Sequence, residues 1–140
     1  MKKIVTISIL GTVLILGAAA FLFLSPFGGS AKPGELVGSW SGGQGAQLIL
    51  REDGSLTAVK VPTHFSVVDE SPLDPFTGQG TWRLEKKLAL DDQQIDVTLD
   101  EGDGFTAGIR LKVMGKGDRD GIYIPISEDS PKKFVFKKSA

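Results

Sequence analysis

From Ile95 onward apolar and polar residues alternate at period two. Ile95, Val97 and Leu99 interleave with Asp96, Thr98 and Asp100, and Phe105, Ala107, Ile109, Leu111 and Val113 with Thr106, Gly108, Arg110 and Lys112. Successive side chains of a strand point to opposite faces, so the pattern predicts strands with one face buried. Further on, Ile122, Ile124 and Ile126 share a face opposite Tyr123 and Pro125, and Phe134 and Phe136 share one between Lys133, Val135 and Lys137. Looser alternation over 36–41, 46–51, 55–61 and 80–85 predicts four more strands in the first half. Asp53-Gly54 suits the positive φ angles of a type I′ hairpin turn, and Gly102-Asp103-Gly104, Gly115-Lys116-Gly117 and Asp120-Gly121 are further turn signals. Eight strands with short connections predict an all-β antiparallel meander, a closed barrel with a β-sandwich as the alternative. Closure is favoured because it removes edge strands without needing helices, whose spacing is absent from these runs.

The opposite pattern opens the chain. Ile4 to Leu24 carries no charge, and its 21 residues make about 31 Å of helix, matching the roughly 30 Å hydrocarbon core of a bilayer. Lys2 and Lys3 hold the amino end in the cytoplasm by the positive-inside bias, which sends the rest across. The alternative is a cleaved secretory signal ending near Ala18-Ala19-Ala20, which would leave Phe21-Leu22-Phe23-Leu24 as a greasy new terminus. Both place the folded part outside the cytoplasm, and the first predicts a single-pass protein of the cytoplasmic membrane. The expected organisation is an anchor over 1–24, a Gly/Pro/Ser linker over 25–34 and one domain over 35–140. From Glu35 on, 13 Lys/Arg face 17 Asp/Glu, so the domain is mildly acidic and nucleic acid is not an expected partner. The chain has no cysteine, which excludes disulfides and a diacylated-cysteine attachment.

Gly38-Ser39-Trp40 resembles the Gly-x-Trp signature on the first strand of lipocalins and the wider calycin group of ligand-binding barrels. Over about 35–138 the chain is also similar to small membrane-anchored bacterial proteins of lipocalin-like shape with no assigned role. The resemblance implies that Trp40 plugs one end of the barrel and that Gly38 lets a neighbouring backbone approach. The arginine that stacks on this Trp in the family has only lysines as counterparts here, Lys133, Lys137 and Lys138. A second triplet, Gly80-Thr81-Trp82, follows 42 residues later, and is read either as a trace of a duplicated half-barrel or as a second core tryptophan on a strand.

Candidate chemistry is sparse. One histidine, His64, and no cysteine leave no transition-metal ligand set, and no cofactor is expected. No G-x-S-x-G motif accompanies His64, so it reads as a surface or loop residue, with a small envelope hydrolase using His64 or paired carboxylates as the alternative. Asp91-Asp92, Asp100-Glu101 with Asp103, and Asp118 with Asp120 read as turn-tip acids. Lys132-Lys133 and Lys137-Lys138 read as charges guarding an apolar terminal strand, or as contacts to anionic lipid. The longest irregular stretch, 62–77, holds His64, Phe65, Val67, Val68, Leu73 and Phe76, and loops of that length are usually functional. His64, Phe65, Val68 and Phe76 are therefore the candidate site for a small apolar ligand or an envelope protein, with Gly38, Trp40, Gly80 and Trp82 as structural residues. The expected function is a non-enzymatic, membrane-anchored binding or interaction module with its partner class open, one variant being protection of the envelope against a secreted toxin, in which the acidic faces would meet a basic partner. A second alternative is an assembly factor acting through small residues of the span, such as Gly11, Gly17 and Ala18.

Overall fold

The computed structural model describes residues 28–127 and 131–139. The expected span Ile4–Leu24 lies outside them, and among the described residues no helix is long and apolar enough to cross a membrane. The chain forms a closed eight-stranded antiparallel barrel in meander order. Its strands are β1 (Gly38–Ser41), β2 (Gln47–Leu50), β3 (Ser55–Val61), β6 (Phe76–Leu84), β7 (Gln94–Gly102), β8 (Phe105–Val113), β9 (Ile122–Pro125) and β10 (Lys133–Lys138), with β10 pairing back onto β1. A separate hairpin of β4 (His64–Phe65) and β5 (Pro72–Leu73) sits between β3 and β6. The closed barrel, not a sandwich, is what the alternating runs build.

Alternation decides what fills the interior. Leu48 and Leu50, Leu56 and Ala58, Ile95, Val97 and Leu99, Ile109, Leu111 and Val113, and Ile122 with Ile124 point inward and form one buried cluster with Trp40, Trp82 and Phe136. The lumen is thus a side-chain core, as expected where eight strands leave just enough interior for side chains to fill.

One end of the barrel, here the base, receives the amino-terminal side of the described chain. A single helical turn, α1 (Pro33–Leu36), precedes β1 and buries Leu36. Residue 36 thus ends a helical turn and does not begin a strand: Pro33 pre-sets the φ of its first turn and the Glu35 carboxylate accepts the Lys32 N–H at 2.9 Å. Trp40 is fully buried at the base and donates its Nε1–H to the Leu36 carbonyl at 2.9 Å. Lys138, on the interior face of β10, sets its ammonium 6.0 Å from the Trp40 ring and donates to the Glu35 carbonyl and the Asp118 carboxylate. Of the three candidate lysines it is Lys138 that covers the plug. Gly38 serves this arrangement, because a Cβ there would meet the Lys138 side chain at 2.9 Å, so its close neighbour is a side chain and not backbone. Gly80 is the residue that admits a backbone, since a Cβ there would collide with the Thr98 carbonyl on β7.

Trp82 also lies at the base, its Nε1–H on the Arg51 carbonyl at 2.8 Å. It is on the fourth barrel strand, β6, which runs opposite to β1. A duplicated four-strand half would put the second triplet on β7, parallel to the first, so the pair is two core tryptophans and not a repeat. The β2–β3 turn departs from type I′ as well. Of Asp53 and Gly54 only the glycine has positive φ, and Gly54 N–H returns to the Arg51 carbonyl while Asp53 caps Ser55. This is a type I turn closed by a left-handed glycine, the three-residue alternative to a two-residue loop.

Candidate functional site

At the opposite end, the mouth, the β3–β6 connection is ordered by its own polar residues. Ser66 N–H bonds the Ser71 carbonyl, Glu70 N–H returns to Ser66, and the Asp69 carboxylate accepts both the N–H and hydroxyl of Ser71. Those bonds hold the Asp69 carboxyl below the usual carboxylate range. The irregular loop expected over 62–77 is therefore a short hairpin, and β6 starts at Phe76, earlier than the alternation suggested. Phe65 turns inward onto Phe134 with ring centroids 6.0 Å apart, and Phe134 meets Phe136 edge-on at 5.3 Å. These three rings form a column from the core to the hairpin. The tip points the other way, with Val67 99% and Val68 91% exposed.

Between this hairpin and the projecting β7–β8 turn lies a cleft of about 480 Å³, lined by Thr63, His64, Asp74, Pro75, Phe76 and Glu101. His64 Nε2 is 2.9 Å from Asp74 Oδ2, and the Thr63 hydroxyl donates to the Asp74 carbonyl. With Glu101 the cleft is acidic, and Phe105 beyond it is 69% exposed. Gln44, Lys60, Glu70, Asp74 and Asp103, the described non-glycine residues with positive φ, all lie in the connections or strand ends at the mouth. Such backbone costs energy and gathers at functional sites.

The structure divides the candidate residues. His64 and Phe76 line the cleft, Phe65 belongs to the aromatic column, and Val68 stands in solvent at the tip. Glu101 and Phe105 join the mouth without having been singled out as site residues. Their only signal was continuation of the alternating β7 and β8 patterns beyond the length needed to cross the core.

The remaining carboxylates mostly serve the fold. Asp100 caps Gly102, Asp118 pairs with Lys138, and Asp92 accepts the Gly29 N–H at 2.6 Å together with the Tyr123 hydroxyl. The terminal lysines are likewise engaged: Lys132 meets Glu70, Lys133 sits over the Tyr123 ring, and Lys137 donates to the Asp120 carbonyl. Burial, then the bond to Asp92, pushes the Tyr123 phenol well above its ordinary value of 10.0. A raised phenol stabilises the fold fully below the unfolded value and loses that contribution as pH rises through the folded one. Stability is therefore expected to fall above about pH 10, with Tyr123→Phe flattening that alkaline limb. Because Tyr123 is the only tyrosine, phenolate absorbance reads it directly, and should appear together with unfolding and not before it.

Among the described residues no group of three or more His, Cys, Asp or Glu is arranged to hold a metal ion. No family model, curated protein or solved structure matches this chain.

Proposed function

We infer that the protein is a membrane-tethered, extracytoplasmic interaction module of lipocalin-like shape that works without catalysis and binds an envelope protein at its mouth. The observation that carries this reading is the placement of exposed Val67, Val68 and Phe105 around an acidic cleft, at the end opposite the entry of the chain at Gly28. With Ile4–Leu24 in the bilayer, that end is the one farther from the tether. Asp69 and Asp74 share the hairpin region with Val67 and Val68, and Asp100, Glu101 and Asp103 share the β7–β8 end with Phe105, a combination suited to a partner with basic and apolar groups. The packed lumen favours this partner over a small apolar ligand held inside the barrel.

Val68→Asp is expected to weaken partner binding at least about tenfold, roughly 1.4 kcal/mol, with an unchanged melting temperature. A photo-crosslinking residue at position 68 of the full chain in its own envelope should capture a discrete protein, and one at position 57 on the barrel wall should not. Equal capture at both positions would remove the mouth from this reading. The His64–Asp74 pair favours a hydrolase as the second reading, and that reading requires His64→Ala to abolish function with the fold intact.

A further inference from the structure

The base carries a second exposed apolar group, in the β6–β7 connection Glu85–Gln93. Leu88 is 62% and Leu90 74% exposed, and Ala89 between them is exposed too. This is a fixed presentation. Lys87 is buried beneath the loop and donates to the Leu88 carbonyl at 2.5 Å and to the Ala89 carbonyl at 3.5 Å. Gln93 Nε2 donates to the Glu85 carbonyl and Glu85 N–H to the Gln94 carbonyl, which closes the loop at its root. The backbone is thus held from inside while the leucines face out.

The same connection cradles the incoming chain. A Cβ on Gly28 would lie 2.5 Å from the Asp91 carbonyl oxygen and 2.9 Å from Lys87 Nζ, so only a glycine passes there. Gly29 and Ala31 donate to the side chains of Asp92 and Gln93, Gln93 N–H bonds the Gly29 carbonyl, and Ser30 bridges to the β8–β9 connection at Lys116. Three residues lie between Leu24, the end of the expected span, and Gly28, which makes four steps along a chain that extends at most about 3.6 Å per residue. Gly28 is thereby confined to within about 14 Å of the end of that span, with the loop packed beside it. The polar layer of a bilayer is about 6 Å deep on each side of the hydrocarbon, so a tether this short lets the exposed leucines enter it when the barrel stands base-down.

Charge agrees with this orientation. Lys32, Arg51, Lys86, Lys116 and Arg119 are exposed in the connections at the base, where they offset Glu52, Asp53 and Asp91, whereas at the mouth Asp69, Glu70, Asp74, Asp100, Glu101 and Asp103 outnumber Lys60, Lys132 and Lys133. An anionic leaflet repels the mouth and tolerates the base.

We propose that the Lys86–Leu90 loop is a membrane foot: Leu88 and Leu90 enter the interfacial layer of the bilayer in which Ile4–Leu24 is anchored, with Lys86 at the headgroups, fixing the barrel base-down. This rests on the reading of that run as a membrane span. The loop gives the barrel a second point of attachment besides the tether, and two attachments set an orientation where one leaves it free to swing. The mouth is then held at a constant height, pointing away from the lipid.

The chain has no cysteine, so single cysteines at Leu90 and, as a reference, at Val68 report position without background. Each full-length variant, labelled with an environment-sensitive fluorophore, is reconstituted in vesicles of phosphatidylethanolamine and phosphatidylglycerol. The label at 90 is expected to be blue-shifted, quenched by lipid-borne spin labels, and at least about threefold less accessible to iodide than the label at 68. Vesicle-bound protein with both labels equally open to iodide would overturn the foot while leaving the anchor intact. Protein that fails to float with vesicles, or that alkaline carbonate extracts from its native membrane, would overturn the anchor and the foot with it. Leu88→Ser/Leu90→Ser guards against an effect of the label: in this pair variant a label at Ala89 should lose its lipid quenching while the melting temperature holds.

Discussion

Replacing Trp40 with alanine is expected to destabilise the barrel by about 3–5 kcal/mol, a large part of the roughly 5–15 kcal/mol available to a domain of this kind. The side chain is fully buried and closes the base, so its removal leaves a cavity that the surrounding strands fill only in part. It also strands the Leu36 carbonyl, which accepts the indole N–H, and removes the ring over which Lys138 sits. Trp40→Phe separates the two contributions. It keeps most of the apolar bulk and should cost only about 1–3 kcal/mol, the price of an unsatisfied carbonyl and a small void. Urea unfolding monitored at the remaining tryptophan, Trp82, measures both. A loss below about 1 kcal/mol for Trp40→Ala would mean that α1 and Lys138 close the base without the plug.

The barrel was legible because burial on one face writes itself into a strand at period two. The regular patterns around Ile95–Leu99 and Ile109–Val113 lie in long strands paired on both sides, with every second residue in the core. Legibility failed where local chemistry replaces alternation. Residue 36 follows Pro33 and Glu35, whose helical turn is too short to show a period, and its burial looks like the start of a strand. The β4–β5 hairpin is two residues on each side, and its turn is fixed by Ser66, Asp69 and Ser71, not by apolar pattern. Gly28–Ala31 has linker composition, yet its backbone is tied to the base through Asp92, Gln93 and the β8–β9 connection.

The site was legible as a region and not as a constellation. An apolar loop of that length signalled function, but which of its side chains turn inward depends on rings contributed by a strand some seventy residues later. Phe65 is drawn to Phe134, so it anchors the hairpin and leaves Val67 and Val68 as the surface. The His64–Asp74 contact needs the hairpin itself, because it forms across the pairing of His64 with Leu73. Glu101 reaches the cleft only because β7 and β8 project beyond the core, a fact about barrel geometry that no local window contains.

The aromatic column links that surface to the core, and Phe136→Ala should expose the link. Phe136 is fully buried, and its loss is expected to cost about 3–5 kcal/mol. Phe134 would then lose its edge-on partner, and Gly42, whose neighbours are the rings of Phe134 and Phe136, would face a void. Phe65 rests on Phe134, so loosening should travel to the hairpin and speed amide exchange across Ser66–Ser71 more than in β7 or β8. The void also discriminates between the two ligand classes considered for this barrel. A dry apolar cavity takes up xenon or benzene, so either should raise the melting temperature of Phe136→Ala and leave the native protein unchanged. Stabilisation of the native protein by the same probes would point to room in the lumen for a small apolar ligand. Its absence, with stabilisation of the variant alone, would leave the exposed mouth as the surface on which this barrel acts.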